Sequence, residues 1–281
     1  MKLASFIHDG IARFGVVKGT GVVPVGGAEH DRFRSLRDAL DADGIDELAA
    51  IAATGEAGLA LVEVKLLPPI PDPDKVLCIG INYGEHAKET GSAITDSPSI
   101  FSRLNNTLVA PGDPIIRPKA SEQLDFESEL AVIVGRRGRY IPEARAFDHV
   151  AGYSILFDGS VRDFQKHSVT AGKNFPATGP FGPVMVTADE IPDPQRLTMT
   201  TRLNGETVQQ AGIDEMIRPV ERLVAYLSTV TELVPGDVIA TGTPSGVGAR
   251  RTPPLWLKPG DQLEVEIDGI GILRTHVVDE A

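Results

Sequence analysis

A single cysteine, Cys78, stands in the 281 residues. That excludes an intrachain disulfide and fits a reducing compartment. Basic charge is also short, with 27 Lys and Arg against 39 Asp and Glu and a formal net charge of -12. A nucleic-acid footprint needs a basic face, so nucleic acid is not an expected partner. No apolar run is long enough to cross a bilayer, so no membrane partner is expected either. Residues 1–9 lack the long apolar core of a signal peptide, which makes the cytoplasm the expected compartment. Nucleotide signatures are missing as well. No Gly-Lys-Ser/Thr follows the glycine-rich loop at residues 240–248, and no Gly-x-Gly-x-x-Gly sits in a βαβ setting.

What is present is an ordinary globular composition, 42% hydrophobic and 23% charged. The length allows one large domain, or a large one with a small one. With 29 Gly and 21 Pro among many short β-type segments, a β-rich α+β body is expected. Residues 3–7 and 12–17 flank Asp9-Gly10, a hairpin turn, and residues 21–25 offer a third strand. Phe33, Leu36, Ala39 and Leu40 recur at helical spacing, as do Ile45, Leu48, Ala49 and Ala52. Residues 61–67 read as a strand. The proline run at 68–74 suits neither a helix nor a central strand, because proline removes a donor and fixes φ. It divides a small N-terminal α+β domain, 1–70, from a larger one, 71–281. The larger part opens on a strand at 75–80, followed by helical turns that Gly91 stops. An amphipathic helix carries Ile217, Val220, Leu223, Val224 and Leu227 with Pro219 in its first turn, and a hairpin turns at Asp268-Gly269.

The chain is organised around residues 124–135, an apolar β-branched run closed by Gly135 and read as one strand. On a strand Glu127 and Glu129 share a face, where they repel each other. A hard divalent cation is the compensation that suits two carboxylates. The plainer outcome for an isolated Glu-x-Glu is an edge strand showing two acids to solvent. Asp158 ends another strand, 150–158, just before a polar loop, and is placed to be a third ligand or, more plainly, a cap or turn residue. An imidazole titrates near neutrality and can act as a general base, and Glu89 lies one helical turn from His86, well placed to orient it. His8, His30 and His276 read as structural or exposed. Lys173, on a loop rich in Gly and Pro, could steady an oxyanion or lie in solvent. The loop 240–248, with Thr243, could offer N–H groups and hydroxyls to an anion.

Taken in order, these blocks resemble the fumarylacetoacetate hydrolase family. They are residues 75–83 with His86; Asp125-Phe126-Glu127-Ser128-Glu129-Leu130; Gly152 through Asp158 to Gln165; Gly172-Lys173-Asn174-Phe175; 179–183; Asn204-Gly205-Glu206; and 235–248. The resemblance covers residue 75 to the C-terminus. It implies a mixed β-sandwich roll for the catalytic domain and usually a homodimer. It also implies Mg2+ or Mn2+ held by Glu127, Glu129 and Asp158. His86 and Glu89 match the family's catalytic pair, and Gln165 and Lys173 match residues that contact substrate or oxyanion. Arg103, Arg162, Tyr83 and Thr243 complete the expected substrate contacts. Two departures stand out. Phe157 replaces the usual Asn before the third ligand, and Arg103 replaces the lysine of a Phe-x-Lys segment.

The implied reaction is hydrolysis of a carbon–carbon bond in an acylpyruvate, such as fumarylpyruvate, maleylpyruvate or acetylpyruvate, in the breakdown of aromatic compounds. The same chemistry permits decarboxylation of an oxaloacetate-type 2-oxo acid or isomerisation of an unsaturated oxo-diacid, and a non-catalytic binding protein is the reading from another class. Arg103 and Arg162 are candidates to hold a second carboxylate, with a structural ion pair the alternative for Arg162. Arg250 and Arg251 would either reach the site or lie in solvent.

Overall fold

The computed structural model describes residues 1–27 and 32–281; His30 lies outside them. Asp9 and Gly10 take positive φ values of 50° and 76°. Such a turn matches the twist of the strands it joins, here Lys2–His8 and Ile11–Lys18. Gly21–Gly27 adds a third strand. The hairpin does not end there, because Lys2 and Leu3 pair with Val186 and Met185 of the strand Gly179–Thr187. One sheet therefore runs from the N-terminal strands through Gly179–Thr187, Val150–Phe157 and Ser128–Val134 to Val238–Ala240, Val76–Gly80 and Ser99–Arg103. Neighbours along this path are antiparallel except Val238–Ala240 and Val76–Gly80, which are parallel. A second sheet joins Glu206–Gly212, Thr198–Leu203, Gln262–Ile267, Gly271–Asp279 and Ile115–Arg117.

Both faces of the central strand Ser128–Val134 are buried, which explains an uninterrupted apolar run where a half-exposed strand would alternate. Leu130 and Val132 point into a core shared with Met199, Leu203, Val265 and Leu273 of the second sheet. Ala131 and Ile133 point the other way, into a core with Leu3, Phe14, Leu36 and Leu40. The helices Leu36–Asp41 and Ile45–Thr54 cover that second face. The result is the β-rich α+β fold that the sequence leads one to expect.

Away from residues 124–135, two elements differ from expectation. Residues 61–67 are not one strand: Leu59–Ala60 and Lys65–Leu66 are separated by a 3-10 turn, Leu61–Glu63. Glu63 accepts the Ala60 N–H at 3.1 Å and winds the chain, leaving Val62 94% exposed. The amphipathic helix spans Val220–Val230 with Pro219 as its cap, so Ile217 precedes it. No helix of the described residues is long and apolar enough to cross a membrane.

Candidate active site

The strand expected over 124–135 is broken at Phe126–Glu127. Leu124–Asp125 pairs instead with Ser160–Val161 in a small separate sheet. Asp125 is the cause. Its Oδ1 accepts the Gly248 and Phe126 N–H groups at 2.7 and 2.8 Å, and its Oδ2 accepts the Ala249 N–H and Arg162 Nε at 2.9 and 2.7 Å. These bonds pull the backbone out of the long ladder, which resumes with Ser128 opposite Phe157. The Asp158 N–H donates to the Glu127 carbonyl at 2.7 Å, so Glu127 faces Asp158 across the pair and Glu129 follows one alternation on. All three side chains are buried, and one oxygen from each lies within 4.8 Å of the other two.

Cations surround this cluster unevenly. Lys173 Nζ donates to Glu127 Oε2 at 2.6 Å and to Asp158 Oδ2 at 2.5 Å. Arg162 Nη2 donates to Glu127 Oε1 at 2.6 Å, and Arg103 Nη1 to Asp158 Oδ1 at 2.5 Å. Burial works against the Glu127 carboxylate, but Lys173, Arg162 and His86 outweigh it and hold its pKa at about 2. Burial likewise opposes the Lys173 ammonium, and Asp158 and Glu127 offset it and keep that pKa above the usual lysine value. Glu129 is the exception. Burial, and then the Asp158 charge, push its carboxyl well above the usual carboxylate range. Its one hydrogen bond among the described residues comes from the Gly242 N–H at 2.8 Å. Gly242 reaches it with φ of 102°, and a Cβ there would lie 2.7 Å from Asn82 Cβ.

The helix Gly84–Thr90 ends on Gly91 at φ of 69°, the left-handed cap that glycine accepts without cost. It places His86 Nδ1 3.0 Å from Glu89 Oε2. Glu89 Oε1 accepts the Gly246 N–H at 3.0 Å, which ties the helix to the glycine-rich loop. With Nδ1 engaged, Nε2 is the ring nitrogen left for the cavity that His86 lines. That cavity, about 260 Å³, is also walled by Glu127, Glu129, Arg162, Gln165, Lys173, Thr243 and Arg250.

The structure thus brings together His86, Glu127, Glu129, Arg162, Gln165, Lys173 and Thr243 on one cavity, with Glu89 and Asp158 directly behind. Gln165 Oε1 accepts Arg162 Nη1 at 2.8 Å, so its amide N–H groups remain for a ligand. Thr243 Oγ1 accepts Gln209 Nε2 at 2.9 Å and keeps its own proton to donate. Two residues expected to touch substrate are placed elsewhere. Tyr83 is buried in the core, its hydroxyl without a hydrogen-bond partner among the described residues. Arg103 is buried behind Asp158, and its remaining donors go to Thr107 Oγ1, Gly159 O and Thr178 Oγ1 at 3.1, 3.1 and 2.7 Å.

Sequence reasoning includes Asp125 and Asn82 in the matching blocks but assigns neither a role of its own. Asp125 continues the alternation of Glu127 and Glu129, a visible signal. Asn82 is fully buried and bonds the Arg218 and Thr241 carbonyls at 3.0 and 2.8 Å, a partnership no local spacing announces.

The three carboxylates fit a divalent cation. The donor set is all hard oxygen, it converges, and Glu129 carries a buried charge site that no side-chain cation bonds among the described residues. Glu127, Glu129 and Asp158 would hold the ion.

Two family models match the chain: "Fumarylacetoacetate (FAA) hydrolase C-terminal" over residues 75–278, and "Rv2993c-like, N-terminal" over residues 1–69. The oxaloacetate tautomerase YisK of Bacillus subtilis (strain 168) is 43% identical over 224 residues, 78% of this chain and 74% of that protein. The mitochondrial oxaloacetate tautomerase FAHD2A of Bos taurus is 41% identical over 220 residues, 77% of this chain and 70% of that protein. Among solved structures, maleylpyruvate hydrolase from Sphingobium sp. SYK-6, in complex with manganese(II) and pyruvate, superposes with a TM-score of 0.84 over the whole of both chains at 28% identity.

Proposed function

The chain belongs to the fumarylacetoacetate hydrolase family, and on that premise we propose that it moves a proton at C3 of a 2-oxo acid, interconverting the keto and enol forms of an oxaloacetate-type substrate. One observation carries the reading: His86, held by Glu89 behind it, lines the same cavity as Glu127 and Glu129, with Asp158 converging on those two carboxylates from behind. A divalent cation, Mg2+ or Mn2+, held by Glu127, Glu129 and Asp158 would supply a Lewis acid for the 2-oxo and carboxylate oxygens. The protein's own groups do the rest. Glu89 fixes the His86 ring so that Nε2 takes the C3 proton in one direction and returns it in the other. The Gln165 amide donates toward the oxygen that becomes negative, and the Lys173 ammonium, held by Glu127 and Asp158, lends its positive charge from beside it. Burial of Lys173 and of all three carboxylates excludes water, which strengthens each of these interactions.

Acylpyruvate hydrolysis is the second reading, favoured by the same His86–Glu89 pair, which would deprotonate an attacking water, and by the likeness to a maleylpyruvate hydrolase. The two part in one assay. The protein is incubated with Mn2+ and the enol of oxaloacetate, or with acetylpyruvate and fumarylpyruvate. Faster loss of enol absorbance without pyruvate or carbon dioxide supports tautomerisation, whereas pyruvate from an acylpyruvate supports hydrolysis. His86→Ala is expected to lower the rate by about 100-fold or more, the usual worth of a general base. Chelation should abolish turnover; full activity after metal stripping would sink both readings.

A further inference from the structure

The cations around the cavity are committed, with one exception. Lys173 bonds Glu127 and Asp158. Each nitrogen of Arg162 has a partner: Nε bonds Asp125, Nη1 bonds Gln165 and Nη2 bonds Glu127. Arg103 is spent on Asp158 and three oxygens behind it. Arg250 lines the same cavity, yet among the described residues no hydrogen bond or ion pair engages its guanidinium. Its neighbour shows the contrast, for Arg251 Nε donates to Gly246 O at 3.1 Å and its Nη2 to Val208 O at 2.6 Å.

Arg250 also stands at a junction. A second cavity of about 390 Å³ adjoins the first, and Thr90, Arg162, Gln165 and Arg250 wall both. The backbone that carries Arg250 is fixed, because the Gly248 and Ala249 N–H groups are bound by Asp125. Gly248 passes so close to the chain that a Cβ would lie 1.9 Å from Leu255 O. An unpaired guanidinium on a rigid base, beside the pocket proposed above to seat a 2-oxo acid head, is suited to an anion at the far end of that acid. Its planar fork matches a carboxylate through two parallel bonds.

We propose that Arg250 sets the substrate class by receiving the distal carboxylate of a dicarboxylic 2-oxo acid. The inference rests on the proposed seating of the head group, and it moves the role expected of Arg103 and Arg162 to a residue that is free to perform it.

Binding separates this from the reaction itself. Calorimetric titration in the presence of Mn2+ compares 2-oxoglutarate with 2-oxopentanoate, which differ only by a distal carboxylate against a methyl. The wild-type protein is expected to prefer the diacid by about tenfold or more, about 1.4 kcal/mol. Arg250→Gln should bring the two affinities together, while Arg250→Lys, a point charge in place of a fork, should keep part of the preference. Arg250 is exposed, so the Gln variant should melt at the wild-type temperature. Equal affinities in the wild type, or a preference that survives Arg250→Gln, would overturn the proposal. Neither acid has to react. A protein that interconverts keto and enol forms without preferring diacids loses only this inference, and one that prefers diacids through Arg250 without turnover loses only the proposed reaction.

Discussion

At the scale of single residues, Arg103 shows how a familiar pattern can carry a different interaction. A charged residue on Phe-x-Arg in a metal-enzyme sequence invites a substrate role, but its side chain is fully buried and faces Asp158. Removing one member of a buried pair leaves the other charge uncompensated. Arg103→Met is therefore expected to destabilise the fold by about 3–5 kcal/mol, read from the denaturant midpoint. Adding Asp158→Asn to that variant should recover part of the loss. A single variant within about 1 kcal/mol of the wild type would show that Lys173 alone suffices for Asp158. The carboxylates themselves were legible, since Glu127 and Glu129 follow from alternation and Asp158 from the end of an apolar strand. The partners of Arg103 and Arg162 were not. They depend on which segments meet at Thr178, Asp125 and Glu127, and no spacing in the sequence contains those distances.

At the scale of elements, the strand Val76–Gly80 is tied to Val238–Ala240 at its start. The Lys75 N–H donates to Asp237 Oδ1 at 3.1 Å, and Lys75 Nζ pairs with Asp74 and Asp237 at 2.7 and 3.0 Å. Partial burial disfavours the ammonium, but Asp74 and Asp237 outweigh it and raise its pKa above the ordinary 10.5. A raised lysine contributes stability in full below its unfolded value and loses it as pH climbs through the folded one. The wild type should accordingly lose stability above about pH 10.5, and Lys75→Met should flatten that alkaline limb. Melting curves from pH 8 to about 11.5 check it; parallel limbs in both proteins would contradict the linkage. The strand itself was visible as a short apolar run, as was the helix stopped by Gly91. The break at Phe126–Glu127 was hidden, because Asp125 departs from the ladder only through its bonds to a loop more than a hundred residues away.

At the scale of the molecule, the division at residue 70 is expected from prolines, yet the sheet and both core clusters cross it. Leu3, Phe14, Leu36 and Leu40 pack with Ala131, Ile133 and Met185. A chain cut to residues 71–281 would bare that face and unpair the edge of Gly179–Thr187, an invitation to aggregation. It is expected to be insoluble or to melt well below the full chain, and co-expressed residues 1–70 should restore solubility. A truncated chain that melts like the whole would show that the shared core contributes little. Sequence alone does not reveal this continuity, since a proline run marks where a chain turns and not whether the segments it joins pack together.

The pairing of Lys2 and Leu3 with Val186 and Met185 also orders events in time. The strand Lys2–His8 can close its hairpin with Ile11–Lys18 as soon as both are made, since that contact is local. Along its other edge Phe6 and Ile7 pair with Leu66 and Lys65, but Lys2 and Leu3 must wait for Val186 and Met185. Loop closure over such a span is slow. The N-terminal hairpin is thus a preformed edge onto which the later sheet docks, and the interval before docking is when the nascent chain most needs a chaperone's cover.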